Sequence, residues 1–187
     1  MARSLKATAF DLEYEILKEH SVRQIARIGK WIGNDRNRFS QLMELFLHGE
    51  YRITQRSAWA ISYCIEHHPE LLEGWMPAMV KKMREEGVHD AVPRNVLRIL
   101  KNADIPRSQL GIIVTLCFNY MLDTNIPIAI KANAMYILGN AAEKEPDLIH
   151  EIEETLLHIP NASAGIKACA AKVLKQIHLV KRKRDAK

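Results

Sequence analysis

The chain has 187 residues, 48% of them hydrophobic and 26% charged, with only 8 glycines and 7 prolines. This is a globular composition, long enough to bury roughly 70% of the unfolded surface, and it excludes a low-complexity or disordered chain. The formal net charge of +5 resides almost entirely in the last seven residues, KRKRDAK, so the body is near neutral and composition makes no case for a nucleic-acid clamp.

Aromatic residues make up only 6%, and β-branched residues never alternate over a run, so Leu, Ile, Ala, Glu and Lys argue for helix over sheet. No stretch reaches the roughly 18 apolar residues of a membrane span. The opening MARSLKATAFDLEYEILKEH is interrupted by Asp11, Glu13 and Glu15 before a signal-length apolar run can form. Cys64, Cys117 and Cys169 lie far apart among apolar helical neighbours. Such thiols read as reduced and buried, in a cytoplasmic protein without disulfides.

In chain order, LEYEILKEHSVRQIARIGKWIGND is expected to form an N-terminal cap over 1–34, with Gly29 and Gly33 permitting a close helix approach or ending a helix. RNRFSQLMELFLHG and YRITQRSAWAISYC form a helix pair over 35–68. PELLEGWMPAMVKKM, with Leu72, Met76, Met79 and Met83 on one stripe, opens a pair over 69–104. RSQLGIIVTLCFNYM opens the next over 105–145, and PDLIHEIEETLL opens the last over 146–180. Pro69, Pro106 and Pro146 stand where proline is tolerated, at helix starts. Residues 181–187 are expected to be a basic disordered tail.

The second helices share one pattern. Aligning RSAWAISYC with RNVLRILKN, IKANAMYIL and IKACAAKVL places Ala58, Val96, Ala134 and Ala170 in register, at spacings of 38, 38 and 36. Ile61, Ile99, Ile137 and Val173 follow three residues on. A small residue with branched residues one turn later makes a helix face that packs closely on a neighbour. The repeat of about 37 residues falls between the tetratricopeptide period of about 34 and the HEAT/armadillo period of about 40–47, and the tetratricopeptide signature positions are missing.

Stretches such as YRITQRSAWAISYCIEHHPELL and IAIKANAMYILGNAAEKEPDLI resemble HEAT repeats, and positions 20–178 are similar to small bacterial HEAT-like, armadillo-type repeat proteins. The resemblance implies an all-α, right-handed superhelical solenoid of four or five antiparallel helix pairs, nine or ten helices in all. It also implies a non-catalytic scaffold that holds a protein or peptide on its concave surface. The acidic turn residue of the pattern varies in place (Glu50, Asp90, Asp123) and is missing from NASAGIK, so the salt-bridge ladder between turns and helices is expected to be incomplete.

The candidate binding residues are the bases of the second helices: Arg52, Arg56, Arg94, Arg98, Lys131 and Lys167. Two readings stand. Either each pairs with a carboxylate at a neighbouring turn, or together they line the concave surface and meet an acidic partner. Lys181, Arg182, Lys183 and Arg184 are a second, weaker candidate for anionic contact. The adjacent His67 and His68 lack the i, i+4 spacing of a zinc-binding helix and are expected to cap a helix end. Trp59 is expected in the core and Trp75 at its edge. No phosphate loop, nucleophile elbow, metal motif or cofactor motif occurs. The alternative is a nucleic-acid binder similar to the DNA alkylation-repair glycosylases, which share this fold and need a catalytic Asp beside aromatics in a cationic groove. Asp90 and Asp123 are available for that role, although both read as turn residues.

Overall fold

The structure is a computed structural model and describes residues 10–185. Ten α-helices occur among the described residues: α1 (Leu12–Lys18), α2 (Val22–Ile32), α3 (Arg36–His48), α4 (Tyr51–His67), α5 (Met76–Met83), α6 (Ala91–Leu100), α7 (Arg107–Leu122), α8 (Ile128–Lys144), α9 (Ile149–Leu157) and α10 (Ala164–Asp185). The described residues contain no strand. None of these helices is long and apolar enough to cross a membrane.

The helix starts follow from local chemistry. Asp11, Ser21 and Asp35 each accept a hydrogen bond from backbone N–H groups of the first turn that follows, which satisfies donors a helix otherwise leaves open. Pro106 and Pro127 stand immediately before α7 and α8, where their fixed φ suits entry and no N–H is needed. Pro69 and Pro146 behave differently from expectation: each opens a short 3-10 turn, Pro69–Leu72 and Pro146–Leu148. The α-helices α5 and α9 begin only at Met76 and Ile149. The first of these turns buries Leu71 and Leu72 before the chain leaves it.

The chain divides into two compact units, 1–75 and 76–187, where the sequence suggests a single uninterrupted array over 1–180. In the first unit α2 packs on α4 and α1 on α3, giving a layer of second helices over a layer of first helices. In the second unit α6, α8 and α10 form the second-helix layer, and α5, α7 and α9 form the other. The N-terminal segment, expected as a capping half or full pair, comprises two helices in contact, α1 and α2.

The repeat register holds up as burial. Ala58, Val96 and Ala134 are fully buried and Ala170 is 4% exposed. Ile61, Ile99, Ile137 and Val173, one turn on, are buried with them. Small residues at these sites let second helices approach closely, and the branched residues fill the space between layers. Gly29 takes the close approach further: a Cβ there would lie 2.2 Å from Cδ1 of the Tyr63 ring on α4. Gly33 ends α2 at φ 53° and ψ −130°, a backbone conformation open essentially to glycine alone.

At the C-terminus the helix persists where a disordered tail was expected. α10 continues through Lys181 and Arg184 to Asp185. Lys181 is held by Glu153 of α9, which His178 also approaches at 3.3 Å. Docking on α9 gives the last turns a partner that composition does not reveal.

Candidate functional site

The six bases of the second helices divide according to what they touch, and no ion pair with a carboxylate is found for any of them among the described residues. Two are tied to backbone carbonyls. Arg56 Nη1 donates to Leu17 O at 2.6 Å and Ile16 O at 3.3 Å, in the last turn of α1. Lys131 is only 5% exposed and its Nζ donates to Met121 O, in the last turn of α7, at 3.2 Å. Both satisfy carbonyls that a helix C-terminus leaves open and that carry its partial negative charge. The expected acidic turn partner is thus replaced by a helix end, and Lys131 is withdrawn from the surface.

The other four, Arg52, Arg94, Arg98 and Lys167, have no hydrogen bond or ion pair through their side chains among the described residues. Arg52 lies exposed on α4 in the first unit, and Lys167 is exposed near the start of α10. Arg94 and Arg98 are half-buried, one turn apart on α6. Burial lowers the pKa of the Arg98 guanidinium by removing water from its charged form. A half-buried cation without a counter-ion is an unusual feature, because partial desolvation is normally offset by a paired group.

Around Arg98 the second-helix face of the second unit carries residues that sequence reasoning missed. Two residues beyond the register position, α6, α8 and α10 present Arg98, Tyr136 and Lys172. Lys101 Nζ lies 5.7 Å from the centre of the Tyr136 ring, within range of a cation–π contact. Tyr136 and Cys169 perturb each other electrostatically, and the Cys169 thiol points to Ala132 O at 4.0 Å. Burial raises the Cys169 thiol pKa, while Tyr136 and the positive charges of Lys172 and Lys101 pull it back. The same thiolate is the main reason the Tyr136 phenol is raised. Four cations, a phenol and a thiol therefore share one face.

This face is stiffened by side chains that cross between second helices. Asn133 Nδ2 donates to Arg94 O at 3.4 Å, and Asn140 Nδ2 donates to Lys101 O at 2.9 Å. Gln176 Nε2 bridges Asn140 Oδ1 and Glu143 Oε1 at 3.2 and 3.1 Å. Bonds from side chain to neighbouring backbone fix the spacing of α6, α8 and α10, and with it the spacing of the cations they carry. Through Gln176 and Asn140, Glu143 lies close to the C-terminal end of α6; Lys144 beside it is engaged by Asp104 and by Ile105 O.

The remaining candidates are accounted for locally. Lys181 is paired with Glu153, while Arg182, Lys183 and Arg184 are exposed on the last turn of α10. His67 Nδ1 meets Tyr63 O at the end of α4, as a helix-end cap does, and His68 approaches Glu70. Trp59 is half-buried against the edge of His20, and Trp31 stacks on Phe10 with centroids 4.3 Å apart. Trp75 is half-buried too. Asp123 accepts a bond from Asn125 N within its turn, and Asp90 stands exposed before α6. No cluster of three or more His, Cys, Asp or Glu among the described residues is arranged to hold a metal.

Searches of curated proteins and of solved structures return no match to this chain. Among protein families, residues 12–177 match the one described as a HEAT repeat domain. With that match covering most of the chain, and with paired helices stacked in two layers in each unit, the protein belongs to the HEAT-repeat family.

Proposed function

We propose that the protein is a non-catalytic binding scaffold and that the second-helix face of residues 76–187 holds an acidic segment of a protein partner. HEAT repeats commonly serve as scaffolds for protein interaction. The observation that supports the reading for this chain is a pair of bases, Arg94 and Arg98, that stand on this face without a carboxylate partner among the described residues, although the chain contains 22 acidic residues. Where the fold needs a base it uses Arg56 and Lys131, and it satisfies them with carbonyls. Arg94 and Arg98 have no such structural task. They offer planar donors that suit a carboxylate.

The test is fluorescence anisotropy with a labelled Asp/Glu-rich peptide, measured across a salt series. Saturable binding is expected, weakened by Arg94→Ala and Arg98→Ala and not by Arg52→Ala. Duplex DNA and single-stranded RNA are measured alongside, with the full chain and with one ending at Val180. Nucleic-acid binding lost with the tail places a non-specific phosphate contact on Arg182–Arg184 and leaves the scaffold reading intact. Nucleic-acid binding that survives truncation, with no peptide binding, replaces this reading with that of a phosphate groove.

A further inference from the structure

We propose that Arg98 of α6, Lys101 at its C-cap and Lys172 of α10, which flank Tyr136 on the intervening α8, form a site for a phosphomonoester carried by the partner segment; this rests on the reading of the second-helix face as the binding face. The geometry gives the ligand its chemistry. Arg98, Tyr136 and Lys172 occupy one repeat position on three helices packed side by side, and Lys101 reaches over the Tyr136 ring from the next turn of α6. A single carboxylate meets one of these three positive charges and leaves two unanswered. A phosphomonoester near neutral pH carries close to two charges and three strong acceptor oxygens, so it engages a guanidinium, two ammonium groups and a phenol at once.

The surroundings favour a monoester on a protein over the diester chain of a nucleic acid. Outside the last seven residues the chain is close to neutral, so its body does not offer the extended run of cations that successive phosphates need. The half-buried guanidinium of Arg98 has no partner among the described residues, so an arriving oxyanion restores what partial burial removed. The crossed bonds of Asn133 and Asn140 hold the helices, so the cluster is preorganised and little ordering is required on binding.

Alkylation of Cys169 supplies a readout beside the site, since the thiol lies one turn before Lys172 on α10 and feels Tyr136, Lys172 and Lys101. The full chain is treated with iodoacetamide, at constant ionic strength, in chloride, in inorganic phosphate, and with a phosphoserine peptide or its serine counterpart; modification at Cys169 is followed by mass spectrometry. The expected result is slowed alkylation with phosphate and, at far lower concentration, with the phosphopeptide, and no protection by the serine peptide. Arg98→Gln and Lys172→Ala should each weaken phosphopeptide binding by about tenfold or more. Lys172 is exposed, so its replacement keeps the test valid if Arg98→Gln unfolds the chain. Protection by phosphate alone, with none from the phosphopeptide, assigns the site to free phosphate and overturns the peptide assignment. Equal binding of phosphorylated and plain acidic peptides overturns the phosphoryl site while leaving the scaffold reading in place. Stronger protection by an oligonucleotide than by the phosphopeptide overturns it as well.

Discussion

Gly29→Ala isolates the contact that sets the distance between α2 and α4. Alanine in a helix interior is favoured over glycine by about 1 kcal/mol, so propensity alone expects stabilisation. The new methyl group would sit 2.2 and 2.4 Å from Cδ1 and Cε1 of Tyr63, well inside contact distance. These are atoms of a rigid ring, which also stacks on His67 with centroids 4.4 Å apart, so relief requires the ring or the helix to move. Overpacking of this kind opposes folding by about 1–3 kcal/mol. Set against about 1 kcal/mol of propensity, this leaves a net loss of up to about 2 kcal/mol. In a chain of this size that lowers Tm by up to about 8 °C. The assay is thermal and urea unfolding of Gly29→Ala, Tyr63→Ala and the double variant. Once the ring is gone, Gly29→Ala should become stabilising by up to about 1 kcal/mol, giving a coupling of about 2 kcal/mol between two residues in contact. If Gly29→Ala has the same effect in both backgrounds, the close approach does not constrain the pair and the argument fails.

Three further outcomes are expected. Lys131→Met keeps the buried stem but leaves Met121 O without its donor, so urea unfolding should show a loss of about 1–3 kcal/mol, whereas Lys167→Met should change stability by less than about 0.5 kcal/mol. Burial pushes the Cys64 thiol from 9.0 up to about 12 and raises Cys117 as well. The unfolded chain therefore releases these protons first as pH rises. The stability they contribute is complete below about pH 9, and each thiol then removes about 1.4 kcal/mol per pH unit until it ionises in the folded state. Urea midpoints between pH 8 and 11 should fall, and Cys64→Ala should make that decline shallower; an unchanged slope would refute the assignment. Ending the chain at Val180 removes the ion pair of Lys181 with Glu153, whose side chain is only 13% exposed. Faster amide exchange in the last two turns of α10 should follow, with α6 and α8 unaffected.

Much of the fold is legible because helix periodicity and burial express the same geometry. A small residue repeating every 36–38 positions, with a branched residue three later, needs an apposed helix to be worth keeping, and Ala58, Val96, Ala134 and Ala170 are all buried as that requires. The caps at Asp11, Ser21 and Asp35 are equally local, each bond spanning only two or three residues, although none of them was singled out from the sequence above. Pro69 and Pro146 show the limit of local reading: proline fixes an entry into helical φ, but it does not decide between a 3-10 turn and an α-helix.

The site is less legible, because the fate of a charged side chain depends on what the neighbouring repeat places opposite it. Lys131 is offset by one position from the alignment of Arg94, and one residue turns a helical side chain by about 100°. Register alone does not decide the outcome, however: Arg56 shares the position of Arg94 and is tied to the end of α1, while Lys167 shares that of Lys131 and makes no side-chain bond among the described residues. Tyr136 and Lys172 share a repeat position with Arg98, a column visible in the alignment once the second helices are known to be neighbours. The sequence by itself determined paired helices, their order and their buried stripes, because these depend on spacings within about two turns. Only the tertiary structure decided which bases satisfy helix ends and which remain free, because hydrogen-bond partners some 10 to 40 residues away in sequence meet only after the helices have stacked.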